Sequence, residues 1–251
     1  MNETDETGAG GAVALSVVIP ARNEAKNLPR LVEEVGRSLA GSDYEVIIVD
    51  DGSTDDSAAV VARMAAGDPR IRLVSHPQSC GQSGAIASGV RNAGGALVVT
   101  LDGDGQNDPK FIPALLAAIE EPEVGLVAGQ RIGRKDTFTK RYGSWIANAV
   151  RGRMLGDRTR DTGCGLKAFR REAFLELPYF DALHRFLPAL FISDGWAVRH
   201  VDVVDRPRRH GTSHYGIWDR LAVGVPDLFG VWWLRRRRRR NPARLRKGAK
   251  T

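Results

Sequence analysis

Residues 96–106 read ALVVTLDGDGQ, a short apolar run that leads into two aspartates, Asp102 and Asp104. A run of this length, rich in β-branched residues, predicts a buried strand. The carboxyl ends of buried strands are where α/β sheets bind ligands, and two carboxylates there could hold one divalent cation together with a diphosphate. The stretch therefore predicts a metal and a phosphorylated donor, although D-x-D alone is equally typical of a solvated turn.

Other short apolar runs alternate with helical patterns along the first 130 residues. The runs occupy residues 15–19, 46–49, 71–74, 96–101 and 124–128. Helical spacing occurs between them, at about residues 28–39, 55–66, 83–92 and 109–119. Alternation of this kind predicts an α/β fold in which helices flank a mostly parallel sheet.

The strict alternation stops after Gly129, which suggests how the chain is divided. Residues 1–13 are polar, acidic and rich in glycine, and we expect them to be disordered. Residues 14–215 are expected to form one domain, in which 14–130 are of a nucleotide-binding type and 131–215 form the acceptor part. Residues 216–251 would form an amphipathic helical appendage with a basic tail.

The net charge of +7 is located in the tail. Residues 235–251 hold ten Lys and Arg and no acid, which leaves 27 basic against 30 acidic residues elsewhere. Because the body of the chain is slightly acidic, we expect no specific nucleic-acid partner. Cys80 and Cys164 are too few for a disulfide framework, so a reducing, cytoplasmic compartment is expected.

Polar groups follow three of the predicted strands, at the point where each strand ends. The first strand runs into PARNE at residues 20–24, the second into DDGSTD at 50–55, and the fourth into the D-x-D stretch. Each group alone could cap a helix or form a tight turn. Because the carboxyl ends of parallel strands meet at one edge of a sheet, the three together predict a binding site there.

Six stretches, in this order, resemble one known family. They are PARNE (20–24), VDDGSTD (49–55), LDGDGQ (101–106), GQR (129–131), DTGCGLKAF (161–169) and RRHGTSHY (208–215). Over roughly residues 15–215 the chain resembles the family 2 glycosyltransferases, which have the Rossmann-like GT-A fold. Within that family it is most similar to the dolichol-phosphate mannosyltransferases and other polyprenyl-phosphate sugar synthases.

The resemblance implies roles for the residues at matching positions. The implied donor-binding residues are Pro20, Ala21, Asn23, Glu24, Asp51, Asp102, Gln106, Arg208 and His214. A Mg²⁺ or Mn²⁺ ion would be held by Asp102, Asp104 and Gln106, and the implied catalytic residues are Asp104, Asp161 and Arg131. The chain departs from the family at His214, where lysine is common, and at Gly103 and Gly105, which replace bulkier residues and add backbone freedom.

The resemblance implies an inverting transfer of mannose or another hexose from GDP-mannose or a UDP-sugar to a polyprenyl phosphate. A lipid phosphate already carries an anionic oxygen, so no side chain has to remove a proton before that oxygen attacks the sugar. If the acceptor is instead a saccharide, lipid or protein hydroxyl, a base is needed, and Asp161 is the first candidate. A third alternative is a non-catalytic basic module that binds membrane or nucleic acid.

One segment inside the domain combines charge with an apolar surface. Residues 184–191 join His184 and Arg185, two candidate cationic heads, to apolar side chains, which suits a phosphate on a hydrocarbon chain. An ordinary core helix explains the same pattern equally well. The two residues are therefore candidate acceptor-binding residues.

The C-terminus combines apolar and basic residues. An apolar stretch at residues 228–234 precedes six arginines at 235–240, a pattern typical of attachment to an anionic membrane surface. The apolar part could instead pack on the domain, and the arginines could be a solvated tail. No apolar run reaches the ~18 residues of a spanning helix. We therefore expect a peripheral protein on the inner face of the membrane, with a separate membrane-protein partner left open.

Overall fold

A computed structural model describes residues 13–133, 151–157, 159–207 and 217–237, and the side chains of all but residues 217–225. In this part of the chain a seven-stranded sheet has the order β3-β2-β1-β4-β6-β5-β7. Its strands are β1 (Leu15–Ala21), β2 (Tyr44–Asp51), β3 (Ile71–His76), β4 (Leu97–Thr100), β5 (Val124–Arg131), β6 (Lys167–Arg170) and β7 (Ala197–Val203). Strand β6 is antiparallel to β4 and β5, and the other neighbouring pairs are parallel. The predicted mostly parallel sheet is confirmed.

Helices cover both faces of this sheet. They are α1 (Leu28–Ser38), α2 (Ser57–Gly67), α3 (Gly81–Asn92), α4 (Ile112–Ala118), α5 (Arg171–Leu175), α6 (Leu183–Ser193) and α7 (Ile217–Arg237). A 3₁₀ turn at Pro109–Phe111 leads into α4, and residues 151–155 are also helical. The five predicted strands and the first four predicted helices therefore occur where the apolar spacing indicates, with ends that differ by a few residues.

The central strands are apolar on both faces because both faces are covered. Val17 and Ile19 of β1 belong to the core beneath α1 and α4, whereas Val18 belongs to the core beneath α3 and α6. Each such side chain, once buried, contributes roughly 1.5–3 kcal/mol to stability. Gly89 brings α3 close to β1, since an added Cβ would lie 2.3 Å from Val18 Cγ1.

The sheet topology gathers seven chain segments at one edge. Six strands end at that edge because they run in the same direction: β1, β2, β3, β4, β5 and β7. The antiparallel strand β6 begins there, with Lys167 opposite Thr100 at the end of β4. The segment that precedes β6, residues 161–166, consequently lies beside the D-x-D stretch. Only the reversed strand direction allows this, and the apolar pattern of β6 does not reveal it.

The C-terminal helix α7 packs on the domain with one face and exposes the other. Leu228, Val231, Trp232 and Leu234 pack in the core beneath α3 and α6. Phe229 and Trp233, by contrast, are 57% and 55% exposed. Among the helices described here, we find none with the length and apolar character that crossing a membrane requires. The expected disorder of residues 1–12 and the tail beyond Arg237 lie outside the described residues.

Candidate active site

The D-x-D stretch forms a tight loop directly after β4. The Asp102 N–H donates to Asn107 Oδ1 over 3.0 Å, and the Gln106 N–H donates to Asp104 Oδ1 over 3.0 Å. Gly105 has a φ of +71°, in the left-handed region that favours glycine. The loop therefore turns back on itself and holds Asp102 and Asp104 at the carboxyl edge of the sheet.

Gly103 allows this loop to lie against the end of β1. Its N–H donates to the Pro20 carbonyl over 3.3 Å. An added Cβ would lie 3.0 Å from that oxygen and 3.2 Å from Ala21 Cβ, which is tighter than most real contacts. The structure thus explains both glycines without invoking backbone freedom. Gly103 fits a space too narrow for a side chain, and Gly105 adopts a left-handed backbone conformation.

The Asp102 carboxylate lies in a crowded, partly buried position. Gln82 Nε2 donates to its Oδ1 over 2.7 Å, and a Cβ added at Gly165 would lie 2.3 Å from the carboxyl carbon. Burial, followed by the charge of Asp104, raises the pKa of Asp102 to about 6, although Lys167 acts in the opposite direction. A cation would stabilise two carboxylates that repel each other in such a place. The residues present therefore fit the predicted Mg²⁺ or Mn²⁺.

Gln106, the third predicted metal ligand, lies beside the segment that follows β7. Its Nε2 donates to the Arg206 carbonyl over 3.5 Å, and the Arg206 N–H donates to the Gln106 carbonyl over 2.8 Å. A side-chain amide oxygen is a ligand that hard divalent cations accept. Gln106 therefore stays a predicted ligand, and the structure adds that its backbone is joined to the end of β7.

Arg131, at the end of β5, is held by two carboxylates. Its Nε and Nη2 donate to the two Asp161 oxygens over 2.6 and 2.8 Å, and its Nη1 donates to Asp205 Oδ2 over 3.1 Å. Burial alone would lower the pKa of Arg131, but the opposing effect of Asp161 and Asp205 is larger and raises this pKa above its usual value. The guanidinium therefore stays charged. The structure thus brings together two predicted catalytic residues, Arg131 and Asp161, as a bidentate ion pair.

Asp51, at the end of β2, accepts four hydrogen bonds from the loop that leads into α3. The donors are His76 Nδ1, Ser79 Oγ, the Cys80 N–H and the Gly81 N–H, at 2.8, 2.6, 2.7 and 2.9 Å. Burial alone would raise the pKa of Asp51, but the bonds from Ser79, His76 and the backbone hold it below its usual value. Both carboxylate oxygens of Asp51 therefore already accept hydrogen bonds, and Asp51 holds residues 76–81 in place beside the end of β2.

The same geometry accounts for a second group that could hold a metal. Asp51, His76 and Cys80 each offer a ligand atom, and these atoms lie within 4.8 Å of one another. His76 Nδ1 is bonded to Asp51, and its Nε2 lies 2.9 Å from Ser88 Oγ. The hydrogen bonds explain this group as a structural link between β2, β3 and α3.

The predicted nucleoside-pocket residues after β1 are joined to the loop after β2. Asn23 has a φ of +57°, and its Oδ1 accepts from the Thr54 N–H over 2.8 Å. The Glu24 N–H donates to Ser57 Oγ over 2.9 Å, and Glu24 Oε2 accepts from Asn27 Nδ2 over 2.5 Å. The two loops therefore form one wall at the edge of the sheet, as the positions of the motifs predict.

Of the one or two cationic heads predicted for residues 184–191, His184 does not supply one. It lies at the start of α6, where its Nδ1 is 2.8 Å from Ser83 Oγ. Burial, followed by the charges of Lys167 and Arg185, lowers the pKa of His184 to about 3. The imidazole is consequently neutral near pH 7, and of this predicted pair only Arg185 supplies a positive charge.

Two predicted donor-binding residues, Arg208 and His214, lie outside the described residues. The structure in turn adds residues that the sequence reasoning did not single out: Gln82, Asn107, Lys167, Asp205 and Arg206. Lys167 could have been noticed in the sequence, because it is a charged residue directly before the apolar pair Ala168-Phe169. Its ammonium donates to the buried Cys164 carbonyl. For Gln82, Asp205 and Arg206 no local sequence pattern indicated a role, because their partners are distant in the chain.

The whole chain was compared with known families and proteins. Residues 16–177 match the family described as Glycosyl transferase family 2. This chain belongs to glycosyl transferase family 2. The match begins in β1 and ends after α5, so it includes every element that contributes to the D-x-D site except β7.

Curated relatives of this family 2 glycosyltransferase are named as polyprenyl-phosphate sugar enzymes. A dodecaprenyl-phosphate galacturonate synthase of Rhizobium johnstonii is 36% identical over 232 residues, which cover 90% of this chain and 68% of the relative. Undecaprenyl-phosphate 4-deoxy-4-formamido-L-arabinose transferases of Shewanella sediminis and Proteus mirabilis are 37% and 34% identical, over 83% and 80% of this chain. The chain spans 64% and 62% of these two relatives, less than two thirds of their length.

Solved structures agree with the fold of the family 2 glycosyltransferase. Glucosyl-3-phosphoglycerate synthase from Mycobacterium tuberculosis, in complex with Mn²⁺ and UDP-glucose, superposes with a TM-score of 0.65. The superposition covers 88% of this chain and 78% of that one at 23% identity. At this identity the likeness supports the GT-A fold alone.

Proposed function

We propose that this family 2 glycosyltransferase transfers a sugar from a nucleotide-sugar donor to a polyprenyl phosphate, with inversion at the anomeric carbon. The names of the relatives support the acceptor class. The observation that carries the proposal is the Arg131–Asp161 pair, in which both carboxylate oxygens of Asp161 accept from one guanidinium. A hydroxyl acceptor would need a general base, and a carboxylate held in this way is a weak one. A phosphate acceptor needs none.

In this proposal each part of the site binds or orients a group that carries charge. The loops after β1 and β2 bind the nucleoside, and the D-x-D loop binds the diphosphate. Arg131 keeps Asp161 and Asp205 in place and offsets their charge, which would otherwise repel an anionic acceptor. The acceptor phosphate then attacks the anomeric carbon, and the nucleoside diphosphate leaves from the opposite face.

Asp102, Asp104 and Gln106 would hold a Mg²⁺ or Mn²⁺ ion. A divalent cation there would stabilise the negative charge that builds up on the departing diphosphate. The raised pKa of Asp102 agrees with a position that is shaped for a positive charge. The proposal therefore includes dependence on a divalent metal.

The sugar and the base are the finer parts of the proposal. The relatives' names specify galacturonate and 4-deoxy-4-formamido-L-arabinose, and the structural neighbour binds UDP-glucose. We therefore favour a UDP-linked sugar over GDP-mannose. Both belong in the test, since the described pocket residues suit either base.

Sugar transfer is measured by incubating the protein with Mg²⁺, a short polyprenyl phosphate and, in turn, UDP-galacturonic acid, UDP-glucose and GDP-mannose. We expect a glycosylated lipid phosphate with one donor class and no product after chelation. Asp104→Ala should lower the rate by about a hundredfold or more. The exposed Asp43, at the start of β2, provides the control Asp43→Ala, which should leave the rate unchanged.

Two outcomes contradict the proposal. Transfer to the matching polyprenol, in place of the phosphate, would favour a hydroxyl acceptor and a base. An Asp104→Ala variant as active as the unchanged protein would remove the catalytic assignment of the D-x-D loop.

We also infer that the exposed face of α7 rests on an anionic membrane surface. Phe229 and Trp233 lie one helical turn apart and are both more than half exposed. The Arg237 guanidinium lies 5.6 Å from the centre of the Trp233 ring. Aromatic side chains beside arginines suit the boundary between headgroups and hydrocarbon. Placement on the cytoplasmic face stays a prediction.

Vesicle binding tests this face of α7. The double variant Phe229→Ala, Trp233→Ala should bind vesicles that contain phosphatidylglycerol roughly tenfold more weakly, because two interfacial aromatics are lost. Leu175→Ala, which removes an apolar side chain that is 42% exposed on α5, is the matched control and should bind as the unchanged protein does. Equal binding by the double variant and the control would contradict the inference.

A further inference from the structure

Arg206 connects three segments that are far apart in the chain. It lies three residues after β7. Its Nη1 donates to Glu34 Oε2 of α1 over 2.6 Å, and its Nη2 donates to Asp108 Oδ1 over 2.5 Å. Its backbone N–H donates to the Gln106 carbonyl. The side chains of Arg206, Glu34 and Asp108 are only 25%, 12% and 13% exposed, so water screens these pairs only partly.

The preceding residue, Asp205, makes a parallel set of contacts. Its Oδ1 accepts from Asn107 Nδ2 over 3.2 Å, and its Oδ2 accepts from Arg131 Nη1 over 3.1 Å. Asn107 in turn accepts the Asp102 N–H. Asp205 therefore binds the D-x-D loop at Asn107, and Arg206 binds it at Gln106 and Asp108.

Arg206 also lies two positions before a predicted donor-binding residue. Arg206 and Pro207 lead directly into Arg208, which begins the R-x-x-G-x-S stretch. In the sequence, Arg206 and Pro207 therefore directly precede the segment with the predicted phosphate-binding side chains, Arg208 and His214. Neither Arg206 nor its side-chain partners, Glu34 and Asp108, belong to the stretches that indicate the family.

We propose that Arg206 is a positioning residue that holds the D-x-D loop in a fixed place against α1 and the segment after β7. This rests on the proposed function, in which the D-x-D loop binds the diphosphate of the donor. Arg206 itself contacts neither substrate. Its loss should let the D-x-D loop shift and so misplace the donor relative to the acceptor, while every predicted donor-binding side chain is kept.

Kinetics of Arg206→Ala provide the first test. We expect kcat for transfer to polyprenyl phosphate to fall about tenfold or more, while the Kd for the nucleoside diphosphate changes less than threefold. Arg206→Lys, which keeps one charge, should recover part of kcat. Arg30→Ala is the matched control: Arg30 is the other arginine on Glu34, at 2.7 Å, and its removal leaves the Arg206 contacts in place, so kcat should not change.

A second readout is independent of the acceptor. Amide hydrogen exchange at residues 103–108 should be faster in Arg206→Ala, whereas exchange in α2 should match the unchanged protein. Unchanged exchange at 103–108 would overturn the positioning role even if no acceptor is found. A lowered Tm with kcat within twofold of the unchanged protein would also overturn it, because Arg206 would then only stabilise the fold. Failure of the unchanged protein to glycosylate any lipid phosphate would contradict the proposed function alone.

Discussion

Gly165 shows how a single missing side chain shapes the site. A Cβ at this position would lie 2.3–2.4 Å from the carboxylate atoms of Asp102, so alanine would force Asp102 or the backbone to move. We expect Gly165→Ala to lower sugar transfer at least about tenfold and to cost roughly 1–3 kcal/mol of stability. Transfer assays and thermal unfolding measure both effects.

Gly67 provides the matched control for this substitution. It ends α2, and a Cβ there would have no heavy atom within 4 Å. Gly67→Ala should therefore leave transfer unchanged. If Gly165→Ala were as active as Gly67→Ala, close contact with Asp102 would be irrelevant to the reaction.

Glu45 joins three strands of the sheet and the α3–β4 connection at the edge opposite the site. From its place in β2 it accepts from Ser16 Oγ of β1, from the Gly94 N–H between α3 and β4, and from Arg72 Nη1 of β3, at 2.7, 2.6 and 2.7 Å. Burial alone would raise the pKa of Glu45, but the bonds from Gly94, Ser16 and Arg72 bring it below its usual value.

A lowered pKa makes the contribution of Glu45 to stability depend on pH. Because the folded pKa lies below the unfolded one, the contribution is fully present above the unfolded pKa of about 4.3 and is lost as the pH falls through the folded value. Glu45→Gln should cost roughly 1–3 kcal/mol at pH 7 and flatten the loss of stability below about pH 5. Denaturant unfolding at several pH values measures this, with the exposed Glu123→Gln as control. Parallel curves for Glu45→Gln and the unchanged protein would be inconsistent with this role.

The helix α7 has one face that stabilises the domain and one that does not. Val231 is 2% exposed and packs in the core beneath α3 and α6, whereas Phe229 is 57% exposed. Val231→Ala should therefore lower the free energy of unfolding by roughly 1–3 kcal/mol, and Phe229→Ala by less than about 0.5 kcal/mol. Thermal or denaturant unfolding compares the two, and equal losses would mean that α7 does not pack on the domain by this face.

The distribution of charge over the whole molecule predicts how it responds to salt. A chain that ends at Leu234 loses ten basic residues and no acid. Its affinity for anionic vesicles should fall by about a hundredfold at low salt and by much less at high salt, while donor binding stays the same. Replacing Arg238, Arg239 and Arg240 by Gln tests the charge alone. If neither the truncation nor the three Gln substitutions changed the affinity for vesicles, a role for the tail would be contradicted.

Much of the fold could be predicted because it depends on local patterns. The runs at residues 15–19 and 46–49 alternate with helical spacing, and the structure has β1, α1 and β2 there. Strand ends with polar residues also predicted which edge carries the site. The direction of β6 could not be predicted, because a strand of four residues can pair in either direction. That reversal is what brings Asp161 to the D-x-D loop.

The sequence by itself determined the α/β class, the family and the edge of the sheet where the motifs meet, since strand and helix periods and turn residues act over short distances. Only the tertiary structure decided what each charged group contacts. It paired Arg131 with Asp161 and Asp205, made His184 neutral by burial, and joined Arg206 to Glu34, 172 positions away in the chain. Charge and protonation depend on burial and on partners from distant segments, and neither is present in a local pattern.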